Sequence, residues 1–505
     1  MSSVLSLKLS SSLFPDRNKR RKIALPLLLS VSALLAGCAV GPDYASPQMT
    51  LSGAYSNSAG KDQNQRAELA RWWERLGDPV LNQLVETAIR QNLDVATAKA
   101  KVREARASYA KDAGGLLPSA NGSGSASRSR SSGDAPKMSN LFQAGVDASW
   151  EVDLFGANAR TAEASRYGLD AAEEDLRATM VTLIGDITTY YAQARAYQAR
   201  IALARRTASS QTETVRLTQS RFDAGAVSAA DVANATGQAS TTEANIPSLQ
   251  ISYAESLHRL GVLTGGEPAS LAGVMTKTRP IPRPKLPLPV GVPADLLNSR
   301  PDLKVLERKL AQATASIGAV EAARYPAISL TGNISTSAAK TGDLAKNSSI
   351  SWSFGPTLSV PLFNGGSLAA AADVARAQRD TSFLAYRKGV LEALEEVENA
   401  LVSLTRQRQR TGKLVTAANA YRQAADIARS QYQGGSSSFL DVLDAERSLY
   451  SAEDTLITSQ LAIVTAYISL NRSLGGGWDG AVDTATPAVV DVRTGPHLRK
   501  LAKDN

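Results

Sequence analysis

The spacing of apolar residues changes period along the chain, and the same changes recur in the same order later. Residues 142–154 alternate strictly, with Phe142, Ala144, Val146, Ala148, Trp150, Val152 and Leu154 on one side and Gln143, Gly145, Asp147, Ser149, Glu151 and Asp153 on the other. A period of two over this length predicts a β-strand. Ile350, Trp352, Phe354, Leu358, Val360 and Leu362, opposite Ser351, Ser353, Thr357 and Ser359, predict another. The stretches 116–127 and 326–337 supply a preceding strand in each case, with a Ser/Gly-rich loop between. Pro356 and Pro361 are awkward in a central strand and mark bulges or the strand's end. One apolar and one small polar face suits a membrane barrel, with lipid outside and water inside, but also a soluble sandwich. Each strand pair is followed by a long helical pattern, 157–222 and 367–433, with no proline and few glycines. At 1.5 Å per residue each would span about 100 Å. Shorter helices return at about 229–263 and 439–474. The last carries Val442/Leu443, Leu449/Tyr450, Leu456/Ile457 and Ile463/Val464 at a spacing of seven, a coiled-coil seam.

The recurrence is an internal repeat at a spacing of about 208 to 210 residues. Leu117-Pro118-Ser119 matches Tyr325-Pro326-Ala327, and Asp153-Leu154-Phe155-Gly156 matches Pro361-Leu362-Phe363-Asn364. Phe222-Asp223-Ala224-Gly225 matches Tyr432-Gln433-Gly434-Gly435, and Asp231-Val232-Ala233-Asn234-Ala235 matches Asp441-Val442-Leu443-Asp444-Ala445. The chain therefore divides into a first repeat at 69–279, a Pro-rich linker at 280–293, a second repeat at 294–478 and a tail at 479–505 without clear periodicity. Each half reads strand, strand, long helix, turn, returning helix. Four strands cannot close a barrel, and open sheet edges are not viable in lipid. Several chains must contribute, twelve strands coming from three copies or eight from two.

Composition changes this picture little, and charge less than it first suggests. The net charge is +9, but residues 1–37 hold Lys8, Arg17, Lys19, Arg20, Arg21 and Lys22 against Asp16 alone. Without them 50 basic residues face 46 acidic ones, a net of +4, with no basic stretch interleaved with aromatics, so nucleic acid is not an expected partner. Cys38 is the single cysteine and cannot form an intramolecular disulfide. Arg17 to Lys22 are a basic region, Ile23 to Ala36 an apolar run of 14 residues, and Leu35-Ala36-Gly37-Cys38 a small-residue box before the thiol. This resembles a bacterial lipoprotein signal, making 1–37 a signal peptide and 38–68 a lipidated N-terminal segment. Two or more acyl chains on Cys38 give stable anchoring, and Ala39 after it is compatible with sorting to the outer membrane.

The chain as a whole resembles the outer membrane factor (TolC-like) family, in its lipoprotein subfamily. The resemblance covers about residues 38 to 478. It rests on Cys38-Ala39-Val40-Gly41-Pro42-Asp43-Tyr44 with Pro47, Trp150-Glu151-Val152-Asp153-Leu154-Phe155-Gly156, and Pro293-Ala294-Asp295-Leu296-Leu297 with Arg300-Pro301-Asp302-Leu303. Leu391 to Leu401 and Asp441-Val442-Leu443-Asp444-Ala445-Glu446-Arg447-Ser448-Leu449 complete it. It implies an α+β membrane protein, a homotrimer whose twelve-stranded outer-membrane β-barrel (four strands per chain) continues into a periplasmic α-helical barrel. The implied partners are a periplasmic adaptor (membrane fusion) protein, an inner-membrane efflux pump, commonly of the resistance-nodulation-division class, and outer-membrane lipid.

The same resemblance assigns the helix turns. Gly225, Ala226, Val227 and Ser228, with Gly434, Gly435 and Ser436, are the expected adaptor contacts, although tight reversals need glycine in any case. Asp441 and Asp444 match an acidic constriction, and Tyr432 a gate tyrosine. Spaced by three, the aspartates share a helix face, and three copies would ring the axis with six carboxylates that attract cations. As a lone chain, Asp441 reads equally as a helix cap and Asp444 as solvated beside Arg447. The first repeat has Asp231 but Asn234. Gln433 and Ser437 stand where an arginine lock can occur, so closure is expected to rely more on packing and hydrogen bonds than on ion pairs. Only His258 and His497 are present, and no phosphate-binding loop or zinc motif occurs, so no enzyme, cofactor or metal site is expected. Two rival functions are an outer-membrane duct for type I protein secretion and a lipoprotein scaffold that never spans the membrane.

Overall fold

A computed structural model describes residues 39–56, 69–132, 137–285, 291, 293–478 and 482–485. Cys38, the expected signal peptide at 1–37, part of the 38–68 segment, 286–290 and 292 of the linker, and most of the tail lie outside the described residues. The described chain divides into two compact units, one around the strands and one around the helices.

The first unit holds one four-stranded antiparallel sheet in the order β1 (Ser119–Arg130), β2 (Met138–Val152), β3 (Ala327–Ala338) and β4 (Ile350–Ser359). Residues directly opposite share a sheet face, so the register shows which residues of the four strands stand together. Val146, Ile334 and Trp352 form one row, Ala148, Gly332 and Phe354 the next, and Val152, Ile328 and Leu358 a third. All lie on one face. The rows between them, such as Asp147, Asn333 and Ser353 or Gly145, Ser335 and Ser351, lie on the other. Serine pairs bridge that polar face, Ser129 to Ser139 at 2.8 Å and Ser335 to Ser351 at 3.1 Å. The apolar face is open: Trp352 is 75% exposed and Phe354 73%.

The strand ends differ from the sequence expectation for a local reason. β1 begins at Ser119, after Pro118, so Leu116 and Leu117 lie before it, and the Leu116 carbonyl accepts the Trp150 indole N–H at 3.0 Å. Pro356 is no terminus: it sits inside β4 opposite Leu330, in an edge strand of the chain's own sheet, where a missing N–H is tolerated. Pro361 follows the end of β4.

Below β2 the chain turns through Gly156 at φ 81°, where an added Cβ would meet Ala39 at 2.9 Å. That close approach docks the N-terminal segment. Val40 N–H donates to the Phe155 carbonyl at 3.1 Å, and buried Arg160 donates to the Val40 carbonyl at 3.4 Å and to Asp43 at 2.6 Å.

The second unit is built from helices that recur with equal lengths. α1 (Pro79–Gln91) and α2 (Leu93–Gly114) precede the first strands; α3 (Ala157–Asp223) and α4 (Ala229–Leu263) follow them. A single helical turn (Leu296–Ser299) and α5 (Pro301–Ala322) precede the second strands, and α6 (Ser367–Gln433) and α7 (Phe439–Ser473) follow. α2 and α5 have 22 residues each, α3 and α6 67, and α4 and α7 35. The helices ahead of each strand pair are an addition to the strand-first plan read from sequence. No described helix is long and apolar enough to cross a membrane.

The unit's core gathers Trp72, Leu81, Ile184, Tyr191, Leu260, Leu296 and Tyr467. Tyr467 meets Trp72 edge-on at 5.8 Å and donates to its carbonyl at 3.0 Å. Asp78 caps α1 through Val80 N–H at 3.0 Å and also accepts from the Tyr191 phenol and, at 3.3 Å, from Arg279. Burial and the Asp78 carboxylate push the Tyr191 phenol well above its ordinary value. The described tail packs here too, Arg103 donating to the Thr484 carbonyl at 3.2 Å.

Candidate functional site

The two helix reversals, α3 to α4 and α6 to α7, are built alike. Each long helix ends in a left-handed glycine, Gly225 at φ 71° and Gly435 at φ 78°. Gly225 N–H bonds the Phe222 carbonyl and Ala226 N–H the Arg221 carbonyl, both at 2.8 Å. Gly435 N–H bonds Tyr432 at 3.1 Å and Ser436 N–H bonds Gln431 at 2.9 Å. This is the helix-ending motif that requires a residue free of Cβ strain. The returning helices start on reciprocal caps. Ser228 N–H and hydroxyl both donate to Asp231, at 2.9 and 2.8 Å, while Asp231 N–H donates back to Ser228 Oγ at 3.2 Å. Ser438 and Asp441 repeat the arrangement at 3.0, 2.9 and 3.3 Å. Thus one Asp441 oxygen is engaged in capping. Asp444 is exposed, as are Ala226, Ser228, Gly434 and Ser436, whereas Val227 is half-buried.

The equivalent aromatics differ. Phe222 is 41% exposed, but Tyr432 is buried at 1%, in a small cluster with Ala235, Phe439 and Val442. Its hydroxyl donates to Thr218 of α3 at 3.2 Å. The Arg221 guanidinium lies 4.4 Å from the Tyr432 ring centroid and donates to the Gln433 carbonyl at 3.2 Å. Glu446 of α7, 4% exposed, accepts from Arg429 of α6 at 2.8 Å and from Thr214 of α3 at 3.2 Å. Higher up, Arg200 of α3 grips Asp454 of α7 with two bonds, at 2.7 and 3.1 Å. The two hairpins of one chain are therefore laced together over their last turns.

Charged contacts stand beside these packing and hydrogen-bond contacts. Arg221 of the first repeat reaches Tyr432, and half-buried Arg429 pairs with buried Glu446 a turn away. Glu446 carried a signal in the sequence. It falls four residues after Val442 on the seam of the returning helix, where an acid needs a partner. Arg221, Thr218 and Arg429 carried none, because their partners lie in the other hairpin or across a turn.

The fold, the repeat and these reversals are those of a helical-and-strand outer-membrane efflux channel, and comparisons agree. The family model described as "Outer membrane efflux protein" matches residues 84–266 and 292–476. The chain is 36% identical over 451 residues to nodulation protein T of Rhizobium leguminosarum bv. trifolii, covering 89% of this chain and 96% of that one. It is 32% identical over 464 residues to the solvent efflux pump outer membrane protein SrpC of Pseudomonas putida, covering 88% and 96%. The solved outer-membrane channel OprN superposes with a TM-score of 0.82 at 34% identity, covering 87% of this chain and all of that one. The chain belongs to the outer membrane efflux protein family.

Proposed function

We propose that the chain is the outer-membrane channel subunit of a tripartite efflux system of the resistance-nodulation-division type, exporting small toxic compounds. Three copies place β4 of each chain against β1 of the next and close a twelve-stranded barrel, while their helices form a tunnel into the periplasm. The observation that carries this reading is the sheet. Its four strands present one apolar face and one Ser/Thr/Asn face in a single register, and both edges stand open. Such edges are untenable in lipid unless other chains close them, and closure preserves the antiparallel alternation.

Further assignments follow from this reading. The hairpin ends are the periplasmic gate, with Asp441 and Asp444 as its cation-attracting ring, Tyr432 and Arg221 as its intrachain latch, and the exposed turns as the adaptor's contact. Cys38 is the lipid anchor. The relatives are named for nodulation and for solvent efflux, which supports a duct indifferent to cargo, whose selection lies with the pump. The protein extracted in mild detergent is expected to run as a heat-modifiable trimer and to conduct ions in planar bilayers. Monomers without conductance would instead favour a scaffold.

A further inference from the structure

The sheet's charged residues are four, and they divide by face. Asp147 and Glu151 of β2 lie on the polar face; Arg128 and Arg130 of β1 lie on the apolar one. The register fixes this. Arg128 opposes Asn140 and Arg130 opposes Met138, in the same alternation that puts Ala126 opposite Phe142 and Gly124 opposite Ala144. The intervening Ser129–Ser139 pair faces the other way, hydrogen-bonded at 2.8 Å. Ser131 and Lys137 hold the hairpin closed just beyond, through bonds of 3.0 Å, so the arginine rows are fixed strand rather than loop. Both arginines are exposed, and no ion pair forms on either among the described residues.

A water-filled lumen would accept two arginines without cost, whereas a lipid-facing position is costly in the hydrocarbon and tolerated only near an interface. Their height resolves this. The outward apolar rows run from Val152 to Phe142, about 34 Å along the strand and about 26 Å in height at the usual tilt, the thickness of an outer-membrane apolar band. Arg128 and Arg130 stand one and two rows beyond it, about 5 and 10 Å higher, within the headgroup zone. They lie at the hairpin end of β1 and β2, opposite the ends joined to the helices, so on the proposed reading they face the outer leaflet.

We propose that Arg128 and Arg130 form a binding site for the phosphate groups of a phosphorylated glycolipid in the outer leaflet, one site per chain. Two arginines whose backbone positions lie about 7 Å apart on one strand face offer two guanidinium forks, each able to match phosphate oxygens bidentately, as lysine does not. The site rests on the barrel reading above.

The test uses the full-length protein extracted as trimers in mild detergent, with retained phosphorylated glycolipid counted by native mass spectrometry. Wild-type trimers are expected to retain it. R128Q/R130Q trimers should retain about thirtyfold less, the scale expected for two lost membrane-facing cations, and R128K/R130K an intermediate amount. The K346Q variant, whose Lys346 pairs with Asp343 at 2.7 Å, should retain the wild-type amount. Wild-type trimers should lose the enzymatically dephosphorylated lipid, and millimolar inorganic phosphate should not displace the intact lipid. Equal retention by R128Q/R130Q trimers, or by R128K/R130K trimers should the glutamine pair not assemble, overturns the site. Displacement by inorganic phosphate makes it a free-anion site and overturns the lipid assignment. A wild-type protein that yields no detergent-stable trimer refutes the barrel instead.

Discussion

Asp441 has two roles to separate, because its carboxylate accepts the Ser438 N–H and hydroxyl while lying on the helix face it shares with Asp444. Truncation to alanine removes a charge and also one half of a reciprocal cap, a loss of about 1 kcal/mol to the helix start. Asparagine keeps an acceptor oxygen at the cap and removes only the charge. D441N/D444N trimers should therefore melt close to wild type, whereas D441A/D444A trimers melt lower, and both should show higher bilayer conductance and weaker cation selectivity. Asp231 supplies the control, since it makes the same cap beside Asn234 rather than a second aspartate, and D231N should shift selectivity less. If the asparagine pair assembles and conducts with wild-type size and selectivity, the aspartates are caps and not a constriction.

At the scale of elements, the reversals are rigid and their apices are free. The Gly225 and Gly435 turns are closed by backbone bonds, to which the Ser436 hydroxyl adds one bond to the Gln431 carbonyl at 3.1 Å, and Ala226 and Ser436 are exposed, so bulk can be added there while the backbone bonds hold the turn. A226W and S436W trimers should form normally but crosslink less to the adaptor; unchanged crosslinking with full drug resistance would refute contact there. How much of these elements the sequence disclosed depends on how far each signal extends. Helices of 67 residues keep their period long enough to be read from end to end, and the sheet alternation was plain in β2 and β4. α2 escaped because its buried face is only Val95, Ala98 and Val102, a stripe too small to stand out. The lacing of the hairpin ends was illegible for another reason: Tyr432 and Thr218 lie 214 residues apart, and Glu446 and Thr214 lie 232 apart, and nothing local marks either pair. Pro356 misled because an edge position in one chain's sheet cannot be told from a strand's end by the residue alone.

At the scale of the whole molecule the open question is what fixes the chain in the membrane, the lipid or the sheet. The first described residues after Cys38 are not a loose tether. Ala39 lies against Gly156, Val40 bonds Phe155, and Arg160, only 7% exposed at its side chain, holds Val40 and Asp43 just past the end of β2. On the proposed reading, the acylated Cys38 immediately precedes this docked segment in the sequence. Lipid and sheet would then both hold the chain in the membrane, and their contributions overlap. The C38S variant should lose all incorporation of labelled palmitate, which tests the modification itself, and normal labelling would refute it. Its assembly should fall without vanishing, because the exposed apolar rows around Trp352 and Phe354 still partition into lipid, each large side chain worth about 2 kcal/mol or more. The R160A variant should label normally, since the cysteine and its signal are intact, yet give fewer heat-resistant trimers, because the docked segment is released from the base of the sheet. If R160A assembles as well as wild type while C38S assembles poorly, the acyl chains act as a simple tether and the docking of residues 39–44 contributes nothing to assembly.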